Sequence, residues 1–263
     1  MRRGAVVFGL LVFGFVFLYL PIALLVAYSF NESRLVTVWS GFSTQWYGAL
    51  LENDQLLGAA WISVKVAALA ATVATVLGGL AGLALARYRR FRGRGLLVLF
   101  TSAPLVMPDV ILGLSSLLLF VALESVVGWP SGRGVLTVGI AHASFAVAYV
   151  AVVVQARVVR MDPALEEAAA DLGAPPWRTF WGVTVPLLWP ALAAGWLLAF
   201  TLSFDDLVVA SFTSGPGSST LPMVVYSSVR LGVSPQINAL ATLLIVTVAV
   251  GVLVAGRVVR PGR

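Results

Sequence analysis

Three carboxylates occupy positions where a carboxylate is costly. Asp109 follows Pro104 and Pro108 within an apolar stretch, and Asp205 and Asp206 stand together at the end of another. An ionised carboxylate in lipid costs roughly 3 kcal/mol on insertion scales, so such a group usually faces a pathway or a partner. Three of them near one path would favour a cation, and Trp46 and Tyr47 could add cation–π contacts to an ammonium group. Each has a plainer alternative. Asp205 and Asp206 either bind a cation or are solvated outside the lipid, or cap the segment that follows. Asp109 either lines the path, or pairs with another chain or accepts a backbone bond near Pro108. Trp46 and Tyr47, with Trp39, either meet substrate or an external partner or sit at the membrane interface.

Other chemistry finds little support. Glu124 reads as a solvated helix end, and Lys65 as a side chain that snorkels to the interface. His142, between Ala141 and Ala143, has no co-ligands at metal spacing and reads as a packing or hydrogen-bonding residue. The absence of cysteine excludes disulfides, thiolate metal sites and a thiol nucleophile. Lys65 is followed by Val66, so the chain holds no Gly-Lys-Ser/Thr phosphate loop. No cofactor or metal is expected on this chain, nor enzymatic activity; if ATP drives the protein, another subunit binds it.

The elements that position these residues follow from composition. The chain is 60% hydrophobic and 11% charged, with a mean hydropathy of +0.98, against roughly a quarter charged in soluble domains. Lipid is its natural solvent. Six apolar segments approach or exceed the ~20 residues a spanning helix needs: about 5–28, 57–86, 96–123, 135–156, 185–205 and 236–256. An all-α, polytopic membrane protein with six transmembrane helices in a single domain is expected. The apolar run from Gly4 to Ala27 exceeds the roughly 7–15 residues of a signal core, and so reads as a retained first helix. Of 17 Lys and Arg residues, Arg34, Lys65, Arg133 and Arg230 fall on one side of this topology and the rest on the other, which places both termini in the cytoplasm. The net charge of +6 therefore reflects topology, and no nucleic acid partner is implied. Outer loop 29–56 carries Asn31, Glu32, Glu52 and Asp54, and outer loop 207–235 carries a Gly215-Pro216-Gly217 turn that could fold back into a cavity.

Cytoplasmic loop 157–184 is the most informative. From Asp162 it reads as a helix start, with Asp162 able to cap and Pro163 at the first helical position. Glu166 and Glu167 suit the positive end of the helix dipole, Ala168, Ala169 and Ala170 favour helix, and Gly173 with Pro175-Pro176 ends it. A second short helix is expected from about Pro176 through Trp177, Phe180 and Trp181.

Glu167-Ala168-Ala169, three residues, Gly173, nine residues, then Val183-Thr184-Val185-Pro186 resembles the EAA motif of bacterial ABC importer permeases. Val183 and Val185 replace the commoner Ile and Leu, and Ala174 stands where a capping Ser or Asn is frequent. The resemblance implies a type I ABC importer permease fold in the bacterial inner membrane. It implies that Glu167, Ala168, Ala169, Gly173 and Pro186 belong to a coupling element docking in a groove of an ATPase subunit. It implies a heterodimer with a second permease, a cytoplasmic ATPase dimer that binds ATP, and an extracytoplasmic substrate-binding protein.

Ser203-Phe204-Asp205-Asp206, Val208-Val209, Ser211-Phe212, Thr220-Leu221-Pro222, Ile237-Asn238-Ala239-Leu240 and Met107-Pro108-Asp109 resemble the second of the two permeases in spermidine/putrescine importers. This implies a polyamine substrate, and the charge and cation–π arguments above make Trp46, Tyr47, Asp109, Asp205 and Asp206 the candidates along its path. A permease for ferric iron or a phosphonate shares the loop motif. A secondary transporter would leave that loop unexplained, and the chain has no convincing internal repeat of the kind common in such transporters.

Overall fold

The computed structural model describes residues 2–35, 38–231 and 234–258. Arg260 and Arg263, counted in the charge asymmetry, lie outside the described residues. The chain divides into two compact units, Met1–Gly58 with Val225–Arg263, and Ala59–Val224. Regular structure among the described residues is helical. Five helices are long and apolar enough to cross a membrane: Val6–Tyr28, Asp54–Arg87, Asp109–Val127, Val135–Val158 and Pro176–Phe204.

In the first unit, α1 (Arg2–Tyr28) and α2 (Gln45–Leu51) pack against α12 (Pro235–Val258), where the last expected segment, 236–256, lies. The connection from α1 to α2 is organised by Asn31. Its carboxamide donates to Val38 O (2.7 Å) and accepts from Ser40 N (3.0 Å). A further side-chain bond links Asn53 Nδ2 to Gln236 Oε1 at 2.9 Å.

The second unit is built around α6 (Val135–Val158), of which a larger share is buried than of any of the other four long apolar helices. Its Ala141, Phe145, Ala146, Val150 and Val154 form a core with Ala71 and Ala74 of α3 (Asp54–Arg87) and Leu188 and Ala199 of α9 (Val185–Phe204). Small residues let the backbones approach closely, which is how helices associate when lipid offers no hydrophobic drive. A Cβ added at Gly78 would lie 2.7 Å from Val147 O, and one at Gly82 would lie 2.5 Å from Ala151 O.

Three expectations change. The segment 96–123 is not one helix but two, α4 (Arg94–Val106) and α5 (Asp109–Val127). Pro108 has no amide hydrogen and holds Met107 extended (φ −81°, ψ 136°). The second loop helix is not separate from the fifth span. After α7 (Ala164–Asp171), α8 (Pro176–Thr179) runs through a π turn (Phe180–Thr184) into α9 as one continuous element. Pro186, the second residue of α9, cannot donate to the preceding turn, and Val185 N–H reaches back to Phe180 O instead of the usual carbonyl four residues before it. The segment 207–235 is not wholly a loop, since it holds α10 (Val208–Thr213) and α11 (Leu221–Leu231).

Candidate functional site

The break between α9 and α10 creates the first feature. Asp205 ends α9, and Asp206 turns the chain into α10 by accepting from Val209 N (3.3 Å) and Ala210 N (2.8 Å). The short helix α10 is cradled between α5 and α6. Gly113 of α5 leaves room for the Phe212 ring, and Thr137 of α6 donates to Thr213 O at 2.8 Å. On α6, His142 is fully buried. Its Nδ1 is 2.7 Å from Ser203 Oγ, and its Nε2 is 3.0 Å from Asp206 Oδ2, off the axis of a straight hydrogen bond.

The break at Pro108 places Asp109 in the first turn of α5. Asp109, Asp205 and Asp206 then line one cavity of about 380 Å³, together with Pro104, Leu112, Phe145, Tyr149 and Leu202. The carboxylates do not have equal freedom. Asp109 and Asp205 are exposed, whereas the side chain of Asp206 is 9% exposed and committed to α10. The alternative of Asp206 as a cap therefore describes its position, while Asp205 keeps its carboxylate open to the cavity. Carboxylates and aromatic side chains around one cavity suit a cation with an apolar linker.

Phe145 and Tyr149 were not singled out in the sequence. Their signal was helical spacing, because His142, Phe145 and Tyr149 recur at three and four residues and so share one face of α6. Trp46 and Tyr47 lie in the first unit, the three carboxylates in the second. Trp46 donates its indole N–H to Asn31 O at 2.6 Å, and Tyr47 Oη is 2.7 Å from Ser29 Oγ, so both pin the loop after α1.

The loop after α6 is the second feature. Asp162 Oδ1 accepts from Ala164 N at 3.0 Å, and α7 follows. Glu167 and Ala168 are exposed, and Ala169 is half-buried. The helix ends in a Schellman turn, with Ala174 N on Ala169 O (3.0 Å), Gly173 N on Ala170 O (2.9 Å) and Gly173 at φ +80°. Pro175 and Pro176, rather than a capping side chain at Ala174, start the next helix.

The left-handed conformation costs a residue with a Cβ about 1–2 kcal/mol. Gly173→Ala should therefore open this turn, raising amide hydrogen exchange over residues 168–174 by roughly 5- to 30-fold. Unchanged exchange by mass spectrometry would mean that the turn does not hold the loop.

Comparison with known proteins bears on the family and the fold. A profile for binding-protein-dependent transport system inner membrane components matches residues 74–260. The putrescine transport system permease protein PotI of Escherichia coli K12 is 56% identical over 92% of this chain and 86% of its own length. The spermidine/putrescine transport system permease protein PotC of the same strain is 41% identical over 94% of this chain and 90% of its own. In solved structures, a chain of a bacterial ABC transporter involved in the import of the acidic polysaccharide alginate shares the fold. It aligns with a TM-score of 0.63 over 98% of this chain and 96% of that one, at 19% identity. With most of its length matched, this chain belongs to the binding-protein-dependent transport system inner membrane components.

Proposed function

We propose that this chain is one of two membrane-spanning subunits of an ATP-driven importer of polyamines. The observation that carries the substrate is the cavity in which Asp109 and Asp205 stay exposed beside Phe145 and Tyr149. A di- or polyamine carries ammonium groups for the carboxylates and methylene stretches for the rings. The names of the two relatives, one putrescine and one spermidine/putrescine, point the same way. Contacts of this kind release as readily as they form, which a path requires.

The rest of the assembly follows the loop. A second permease completes the path, and an ATPase dimer binds ATP and docks on α7 around Glu167 and Gly173. An extracytoplasmic binding protein delivers substrate. The arginine distribution supports a topology with both termini on the cytoplasmic side, where the ATPase would dock.

The test is uptake by the reconstituted complex in proteoliposomes. Radiolabelled putrescine or spermidine should accumulate only with ATP and the ATPase subunits present. Uptake driven by a proton gradient without ATP, or carriage of an anion alone, would overturn the reading.

A further inference from the structure

The helix at the centre of the coupling loop is poorly anchored by the usual means. None of the eight residues of α7, all of them described, is buried. Isolated helices below roughly 12–15 residues are marginal in water, and α7 buries no apolar face on its neighbours. Yet it can pass on a movement only if it is held firmly to the membrane helices.

One side chain makes that connection. Glu166 Oε1 accepts from Arg87 Nη2 and from Thr184 Oγ1, both at 2.7 Å. Arg87 is in the last turn of α3 and Thr184 closes the π turn that feeds α9. One carboxylate oxygen therefore joins α7 to two transmembrane helices. The pair is about a quarter exposed and Thr184 is buried, so water competes only partly for these bonds. Both charges also suit their helix ends, Arg87 at a negative C-terminus and Glu166 at a positive N-terminus. The three residues line a cavity of about 530 Å³ together with Leu83, Phe180 and Ala170, so open space rather than apolar packing adjoins the polar tie.

We infer that Arg87, Glu166 and Thr184 are positioning residues that lock the coupling helix to α3 and α9, so that a push on α7 moves both. Glu167, the neighbouring residue of the motif, stays exposed for a partner. Two adjacent glutamates thus divide the work, one facing outward and one fixed inward. This inference rests on the proposed ATP-driven importer.

The experiment measures polyamine molecules taken up per ATP hydrolysed, using the full complex in proteoliposomes. Arg87→Met and Glu166→Gln should each lower that ratio about tenfold with complex yield unchanged. The double variant should fall no further than either single one, because both break the same tie. The exchange Arg87→Glu with Glu166→Arg should regain at least half of the wild-type ratio. Thr184→Val, which removes a hydrogen bond and no charge, should lower the ratio about threefold, and it decides the matter if a charge variant fails to assemble. Single losses that multiply to about a hundredfold in the double variant, or a wild-type ratio in the single variants, would overturn the inference alone. A wild-type complex with no ATP-dependent uptake would overturn the importer reading and this inference with it.

Discussion

Asp205→Asn is expected to lower polyamine uptake about 10- to 100-fold at limiting substrate with little change in thermal stability, whereas Asp206→Asn is expected to destabilise the protein. The two residues are adjacent and chemically identical, but their surroundings separate them. Asp205 is exposed to the cavity, and its carboxylate does not cap α10. A hydrogen bond between charged groups contributes about 1.5–3 kcal/mol, and each 1.4 kcal/mol is about tenfold in affinity. Asp206 instead accepts from the Val209 and Ala210 amides and stands 3.0 Å from buried His142. An amide group there can present a donor to donors. Loss of a cap costs about 0.5–2 kcal/mol, and His142 would lose its facing charge as well. Initial uptake rates in proteoliposomes and Tm in detergent separate the two outcomes. The division fails if Asp206→Asn is the more transport-defective variant at unchanged Tm, or if Asp205→Asn transports normally.

The parts of this site that sequence made legible are those set by strong local rules. Pro108 disfavours a continuous helix, but prolines also stand inside α1, α4 and α9, and the stretch 96–123 was apolar enough to read as a single span. Hydropathy measures solvent, and it is blind to a break that both flanking helices survive. The end of α7 was legible because Gly173 and two prolines leave the chain few options. The continuity of Pro176–Phe204 was not, because a proline at 186 normally argues for a helix start, and only the π turn accommodates it within a running helix.

Side-chain partnerships across the fold were less accessible. Whether Asp205 or Asp206 would cap depended on α10, a six-residue helix whose position rests on Gly113 and Thr137, about seventy to a hundred residues away in the chain. Glu166 and Glu167 were equivalent as favourable charges near a helix start. The motif resemblance marked Glu167 alone, and the arrival of Arg87 and Thr184 at one oxygen of Glu166 was not visible in the sequence. Local propensity thus placed these residues on their elements, and tertiary packing gave them different surroundings.

Gly82→Leu is expected to prevent this chain from folding, a larger effect than any change at the cavity. Gly78 and Gly82 lie one turn apart on α3 and face α6. A Cβ at Gly82 would stand 2.5 Å from Ala151 O, 3.0 Å from Gln155 N and 3.2 Å from Val154 Cβ. The nearest of these are backbone atoms of a helix, which cannot swing aside as a side-chain end can. Relief requires α3 and α6 to separate, and that would loosen the core that Ala71 and Ala74 make with Val150 and Val154. Overpacking into side chains costs about 1–3 kcal/mol, and here several helix residues must move together. Stability of the order of 5–15 kcal/mol leaves little margin for such a loss. Gly9→Leu in α1 is the control, since a Cβ at Gly9 meets nothing within 4 Å and leucine is the better helix former. Size-exclusion chromatography in detergent should recover Gly9→Leu as a monodisperse species and Gly82→Leu as aggregate, with Gly82→Ala between them. A monodisperse Gly82→Leu with Tm within a few degrees of wild type would show that α3 and α6 do not need this contact.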